Sequence, residues 1–183
     1  FFDADNDGLL DLAVTNGVRR EDQSRLFLNQ GGNPIIFDDL SEQVNFDDIL
    51  VASALLAFDF NRDGHMDMLQ VTHDYPLLQI AAKIRILENR PDDLTTANNY
   101  IVIKPRISGP NHRAIGAVIR LQIGEIMLSR LITAGTSVMS QEPAEAHFGI
   151  GTADHVDALT IEWPGGDISH FDIDGINKVY IAD

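Results

Sequence analysis

One eleven-residue segment occurs twice in this chain of 183 residues, and it limits the folds open to it. Phe2-Asp3-Ala4-Asp5-Asn6-Asp7-Gly8-Leu9-Leu10-Asp11-Leu12 returns 56 positions later as Phe58-Asp59-Phe60-Asn61-Arg62-Asp63-Gly64-His65-Met66-Asp67-Met68. The downstream stretch returns as well: Arg25-Leu26-Phe27-Leu28-Asn29 aligns with Arg85-Ile86-Leu87-Glu88-Asn89 at a shift of 60. Each unit therefore reads as an acidic loop, a strand, a connection and a second strand. A unit this short cannot bury its own apolar face and must stack on a neighbour.

Counted from the first Asp, oxygen-bearing side chains stand at positions 1, 3, 5 and 9: Asp3, Asp5, Asp7 and Asp11, then Asp59, Asn61, Asp63 and Asp67. Position 6 is Gly8 or Gly64, which permits a sharp turn. Alternating residues on a tightly curled loop point inward together, and a hard cation such as Ca²⁺ takes about 6 to 8 oxygens. The backbone carbonyls of Leu9 and His65, at position 7, would complete each shell. Without a cation, each close carboxylate pair repels by roughly 1 to 4 kcal/mol at about 4 Å. The competing explanation is that Asp and Asn gather in turns to bond their own backbone. Repetition at identical spacing favours metal, so two Ca²⁺ sites are expected. An EF-hand is excluded, because position 12 is Val14 or Gln70 where a bidentate Glu is needed, and both loops run into strands.

Elsewhere the pattern is also β. Leu12 to Val14, Leu26 to Leu28, Ala54 to Phe58, Met68 to Val71 and Ile84 to Leu87 are short apolar runs bounded by Gly, Asn or Asp. Tyr100 to Ile103, Ala117 to Ile123, Ile126 to Thr133, Ala158 to Trp163 and Val179 to Ile181 continue the series. Ile49 to Leu56 has helical length, but it leads directly into the second acidic loop and reads as strand. Asn89-Arg90-Pro91-Asp92-Asp93 and Thr95-Thr96-Ala97-Asn98-Asn99 read as turn and linker, which divides the chain into residues 1–94 and 95–183.

Charge narrows the partners. The formal net charge is −15, and 18 of the 28 acidic residues lie in residues 1–95. Such a surface repels phosphate backbones and anionic membranes, so nucleic acid is not an expected partner. The longest apolar stretch, Ile49 to Phe58, is about half the roughly 20 residues a membrane-spanning helix needs. There is no cysteine, hence no disulfide and no thiolate zinc site. The six histidines show no zinc spacing.

His147 with Ser137, Ser140, Asp154 and Asp157 suggests a triad on paper, but no Gly-x-Ser-x-Gly elbow accompanies it, and His147 is expected to be structural. Gly149-Ile150-Gly151 lacks the third glycine and following helix of a nucleotide fingerprint. Gly116, Gly149 and Gly151 read as positive-φ or close-approach positions, and Trp163-Pro164-Gly165-Gly166 as a strand ending in a turn. Asp38-Asp39 and Asp47-Asp48 read as solvated turn residues rather than a third metal site.

The acidic loops, with Asp at position 9 running into a strand, resemble the calcium loops of FG-GAP/VCBS repeats, the blade units of integrin-type β-propellers. Gly31-Gly32 and Phe37 after Asn29 resemble the second half of such a repeat. Residues 98–181 resemble the ASPIC/UnbV domain of the cartilage acidic protein family and its bacterial relatives. That likeness rests on Asn98-Asn99-Tyr100-Ile101, Asn111-His112-Arg113-Ala114-Ile115-Gly116-Ala117, Ala134-Gly135-Thr136-Ser137 with Ser140-Gln141, His147-Phe148-Gly149-Ile150-Gly151, Val156-Asp157 and Trp163-Pro164-Gly165-Gly166. Asn61 in place of Asp and Arg120 shifted after Gly-Ala depart from the pattern.

The expectation is an all-β chain: two partial β-propeller-like repeats at 1–94, then a β-sandwich-like domain at 95–183. Two blades are fewer than the usual 4 to 8, and Phe1-Phe2 reads as a strand end, so the chain is expected to be part of a longer protein. An exposed or partner-covered sheet edge is then expected near residues 1–30, and any targeting segment is expected to have been removed or to lie outside the sequence. The resemblance implies a non-catalytic module of a secreted, cell-surface or periplasmic protein that mediates interaction or adhesion. The expected partners are a protein or glycan ligand, together with remaining propeller blades or a neighbouring chain. Two alternatives stand beside it: an ancillary region of a secreted polysaccharide lyase or hydrolase, and a self-assembling surface protein completed by another copy.

Overall fold

A computed structural model describes residues 1–16, 22–74, 81–90, 98–135 and 137–183. Among these residues there are thirteen strands and no helix, arranged in four sheets of which none closes into a barrel. The chain divides into two compact units, one of Phe1–Asp5, Leu9–Thr96 and Gly135–Glu142, the other of Asn6–Gly8, Ala97–Ala134 and Pro143–Asp183. Most of the expected linker (Pro91, Asp92, Asp93, Thr95, Thr96 and Ala97) and Thr136 lie outside the described residues.

The first unit holds two three-stranded antiparallel meanders. One has the order β1 (Leu12–Val14), β2 (Arg25–Asn29), β3 (Phe37–Asp39). The other has the order β4 (Ala52–Phe58), β5 (Asp67–Thr72), β6 (Ile84–Leu87). The repeat is visible in the pairing. Phe2 bridges Asp11 across the first acidic loop as Phe58 pairs with Asp67 across the second. β2 alternates, so Leu26 and Leu28 turn inward while Arg25, Phe27 and Asn29 stand outward, as a period of two requires. Leu26 and Leu28 join Phe2, Ala4, Phe46 and Met68 in one apolar cluster, so the two meanders share a core that neither would close alone. β1 has one neighbour, β2, and its other side is an edge among the described residues.

A polar network crosses the same unit. Arg85 Nη1 donates to Asp48 Oδ2 at 2.6 Å and to Gln70 Oε1 at 3.0 Å. Gln70 Nε2 donates to Ser24 Oγ at 3.2 Å, and the Ser24 hydroxyl and the Leu50 amide donate to Asp48 Oδ1. Gln70 and Ser24 are fully buried, which is tolerable because their polar atoms are partnered.

In the second unit, β10 (Ala146–Gly151), β7 (Asn99–Pro105) and β13 (Lys178–Ala182) form one sheet, with β13 parallel to β7. β12 (Ile168–Phe171), β11 (Ala158–Glu162), β8 (Val118–Ile123) and β9 (Ile126–Leu131) form the other. Ile101, Ile103 and Phe148 from the first sheet meet Ile119, Leu121, Leu159 and Ile161 from the second in a single cluster, the arrangement of a sandwich. With few aromatics available, branched aliphatic residues carry that core. Gly166, at φ 91°, closes the β11–β12 turn by donating to Trp163 O at 2.8 Å.

Three strands differ from the expectation. β3 contains Asp38 and Asp39, read from sequence as turn residues; both are exposed, and a charged edge strand needs no apolar alternation. β10 carries two glycines, yet Phe148 and Ile150 are buried and pairing with β7 holds it extended. Of the three glycines named, Gly116 and Gly151 have positive φ while Gly149 sits within β10. β12 is a short strand paired to β11 whose Ile168 and His170 face solvent. Asp48 is also no solvated turn residue, since the Arg85 ion pair leaves its side chain only 15% exposed.

Candidate metal loops

Both acidic loops curl through the same backbone path. Asn6 and Arg62, at position 4, have φ of 60° and 62°, and Gly8 and Gly64, at position 6, have φ of 95° and 91°. Gly8 is needed for space as well: a Cβ there would lie 3.2 Å from the Gly149 carbonyl oxygen.

Position 9 is the anchor of each loop. Asp11 Oδ2 accepts from the Ala4 amide at 2.6 Å, and its Oδ1 accepts from the Asn29 amide at 2.8 Å. Asp67 repeats this with the Phe60 and Asn89 amides, both at 2.8 Å. The two asparagines then return a bond to the carbonyl at position 8: Asn29 Nδ2 to Leu10 O at 3.1 Å, and Asn89 Nδ2 to Met66 O at 3.3 Å. Asp11 and Asp67 are each 1% exposed, so these charge-assisted bonds are shielded from water. The sequence pattern marks the two aspartates as ligands but gives Asn29 no site role and places Asn89 in the linker, where the structure instead bonds it to Asp67 and Met66. The recurrence of both asparagines at a shift of 60 was the signal that could have found them.

The other positions carry the remaining oxygen-bearing side chains of each loop. In the first, carboxylate oxygens of Asp3, Asp5 and Asp11 all lie within 4.8 Å of one another, with Asp3 and Asp11 buried and Asp5 half-buried. Asp7 is exposed, and so is the side chain of Leu9, whose expected contribution is its carbonyl. In the second, the side chains bond the loop's own backbone. Asp59 Oδ1 and Oδ2 accept from the Asp63 and Gly64 amides at 3.2 and 3.0 Å, and Asp63 Oδ1 accepts from the His65 amide at 2.9 Å. Asn61 Oδ1 accepts from the Asp63 amide at 3.1 Å, and its Nδ2 donates to Asp63 Oδ2 at 2.8 Å and to Glu88 Oε1 at 3.3 Å. An Asn donor thus softens the repulsion that an Asp at this position would add. Burial pushes the Asp59 and Asp67 carboxyls above the ordinary range, and their backbone hydrogen bonds offset only part of that.

The first loop's donor set is entirely oxygen, anionic and largely withdrawn from water, which fits a hard divalent cation and not a soft one. The second offers Asp59, Asn61, Asp63, Asp67 and the His65 carbonyl on the same backbone path.

The residues of the paper triad have other partners. His147 stacks on Tyr100 at 5.8 Å between ring centroids. Asp154 is paired with His155 at 2.7 Å, and Asp157 accepts from the Gly124 amide at 2.6 Å. Ser137 bridges Ser140 in a short turn.

Stacked repeats of acidic loop and antiparallel meander define the class: the FG-GAP-like repeat family matches residues 3–69. The ASPIC and UnbV family matches residues 107–182. The two matches stand in the order FG-GAP-like repeat, then ASPIC and UnbV domain. No curated protein matches it at a significant level. FG-GAP repeats are typical of extracellular proteins, and no helix among the described residues is long and apolar enough to cross a membrane.

Proposed function

We propose that this chain is a non-catalytic, calcium-binding adhesion module of a secreted or cell-surface protein, with a protein or glycan as its ligand. The observation that carries this reading is the convergence of Asp3, Asp5 and Asp11 within 4.8 Å on a loop whose pattern is repeated downstream. Ca²⁺ would be held in the first loop by Asp3, Asp5, Asp7, Asp11 and the Leu9 carbonyl, and in the second by Asp59, Asn61, Asp63, Asp67 and the His65 carbonyl. A bound cation neutralises the converging carboxylates and ties the loop ends together. The chain's own part is to hold position 9 in place through the Asn29 and Asn89 amides. In a chain without disulfides this would stiffen the repeats, and extracellular calcium is concentrated enough to fill weak sites of about 10⁻⁴ to 10⁻³ M. Support for a non-catalytic role comes from the triad residues, which are engaged by other partners.

The test is calorimetric titration of chelator-stripped protein with Ca²⁺, with Mg²⁺ as control and melting followed in parallel. Preferential Ca²⁺ binding and a melting temperature that rises with calcium are expected. No heat and an unchanged melting temperature would defeat the reading.

A further inference from the structure

The asparagine that closes the second repeat touches both acidic loops. Its backbone N–H donates to Asp67 Oδ1 at 2.8 Å. Its side-chain Nδ2 carries two hydrogens and reaches two carbonyls, Met66 O in the second loop at 3.3 Å and Ala4 O in the first at 2.6 Å. Ala4 is position 2 of the first loop, and its own amide donates to Asp11 Oδ2 at 2.6 Å. Three hydrogen bonds therefore run from the position-9 carboxylate of one loop to that of the other, by way of Asn89 and Ala4. Both end carboxylates are 1% exposed, and in a low dielectric linked hydrogen bonds polarise one another. Asn29, the repeat equivalent, donates within its own unit to Leu10 O and accepts from the Gly31 amide.

We propose that Asn89 is a positioning residue that couples the two acidic loops, so that ordering one favours ordering the other. The proposal rests on the cation reading above and adds a regulation to it. A carboxylate drawn toward a cation shifts the amide bonded to it. Asn89 is bonded at both ends, through its backbone N–H and its side-chain amide, so a movement of Asp67 is passed to the Ala4 carbonyl and, through Ala4, to the amide bonded to Asp11. Thermodynamic linkage makes the effect reciprocal.

A mutant cycle on the full chain tests this. Asp59→Ala with Asp63→Ala disables the second loop while leaving Asp67, Asn89 and Ala4 intact. Calcium affinity at the first loop, measured by calorimetry, should fall about fivefold, the lower end of ordinary site–site coupling. In an Asn89→Ala background the same two substitutions should leave that affinity unchanged. An equal fall in both backgrounds, or no fall in either, overturns the coupling. Should Asn89→Ala fail to fold, Asn89→Leu keeps most of the side-chain volume and the backbone N–H while removing the Nδ2 donor without adding a charge.

A metal-free arm separates the two readings. In chelator, Asp67→Asn should speed hydrogen exchange of the Ala4 amide severalfold when Asn89 is present and leave it unchanged in the Asn89→Ala background. If the parent binds no cation, the calcium reading fails and this arm alone decides the coupling. Equal acceleration in both backgrounds, or none in either, overturns it.

Discussion

Replacing Asp67 by Ala in calcium-free protein tests whether position 9 is an anchor in its own right. The substitution strips acceptors from the Phe60 and Asn89 amides, each bonded at 2.8 Å. An orphaned buried amide costs about 1 to 3 kcal/mol. Residue Phe60 is 55% exposed, so its amide can regain water, and the total should stay near 2 to 3 kcal/mol. Asp67→Asn keeps one oxygen acceptor and sets an NH₂ group against the other amide, for a cost of about 1 to 2 kcal/mol. Asp11→Ala should cost more than Asp67→Ala, about 3 to 4 kcal/mol, because Ala4 is 2% exposed and its amide has no route to solvent. Asp63→Ala, at an exposed loop tip, should cost under about 1 kcal/mol.

The assay is urea unfolding in chelator followed by far-ultraviolet circular dichroism. A loss of 2 to 3 kcal/mol lowers the midpoint by roughly 1 to 2 M. An Asp67→Ala midpoint equal to the parent's would refute the anchor argument. So would an Asp63→Ala loss as large as that of Asp67→Ala, because the anchoring amides would then not be what matters.

Three further expectations follow from the geometry. The hydrogen bond that His155 Nδ1 donates to Asp154, and then the charges of Asp154 and Asp157, raise the His155 pKa above its ordinary 6.5. Its contribution to stability is therefore complete below the unfolded value and is lost as pH rises through the higher folded one. Asp154→Asn should lower the midpoint of a ¹H–¹⁵N titration of the His155 ring, and an unchanged midpoint would contradict the pairing. Asp48→Ala leaves Arg85, Ser24 and the Leu50 amide without their shared acceptor and should cost about 2 to 4 kcal/mol in thermal or urea unfolding. A loss within 0.5 kcal/mol, the range typical of surface changes, would place Asp48 back among solvated residues. Gly8→Ala combines a φ of 95° with a Cβ 3.2 Å from the Gly149 carbonyl and should destabilise by about 2 kcal/mol. A neutral result by the same unfolding assay would show that the loop relaxes.

Much of this protein was legible from local signals. The apolar runs around Leu26, Met68, Ile84 and Ile101 became β2, β5, β6 and β7, because alternation and flanking turn residues act over a few neighbours. The two loops share one backbone path, as the repeated Asp spacing and the glycine at position 6 implied. Phe37 to Asp39 was misread, since an exposed edge strand carries no alternation to detect.

The tertiary structure alone decided the partners. Asp48 meets Arg85 across 37 residues, and Asn89 reaches Ala4 across 85. It also brought three carboxylates of the first loop within 4.8 Å of one another and set Asn61 and the loop amides against the oxygens of the second. Which atoms satisfy a buried donor depends on what the folded chain brings within about 3 Å, and sequence spacing carries no record of that.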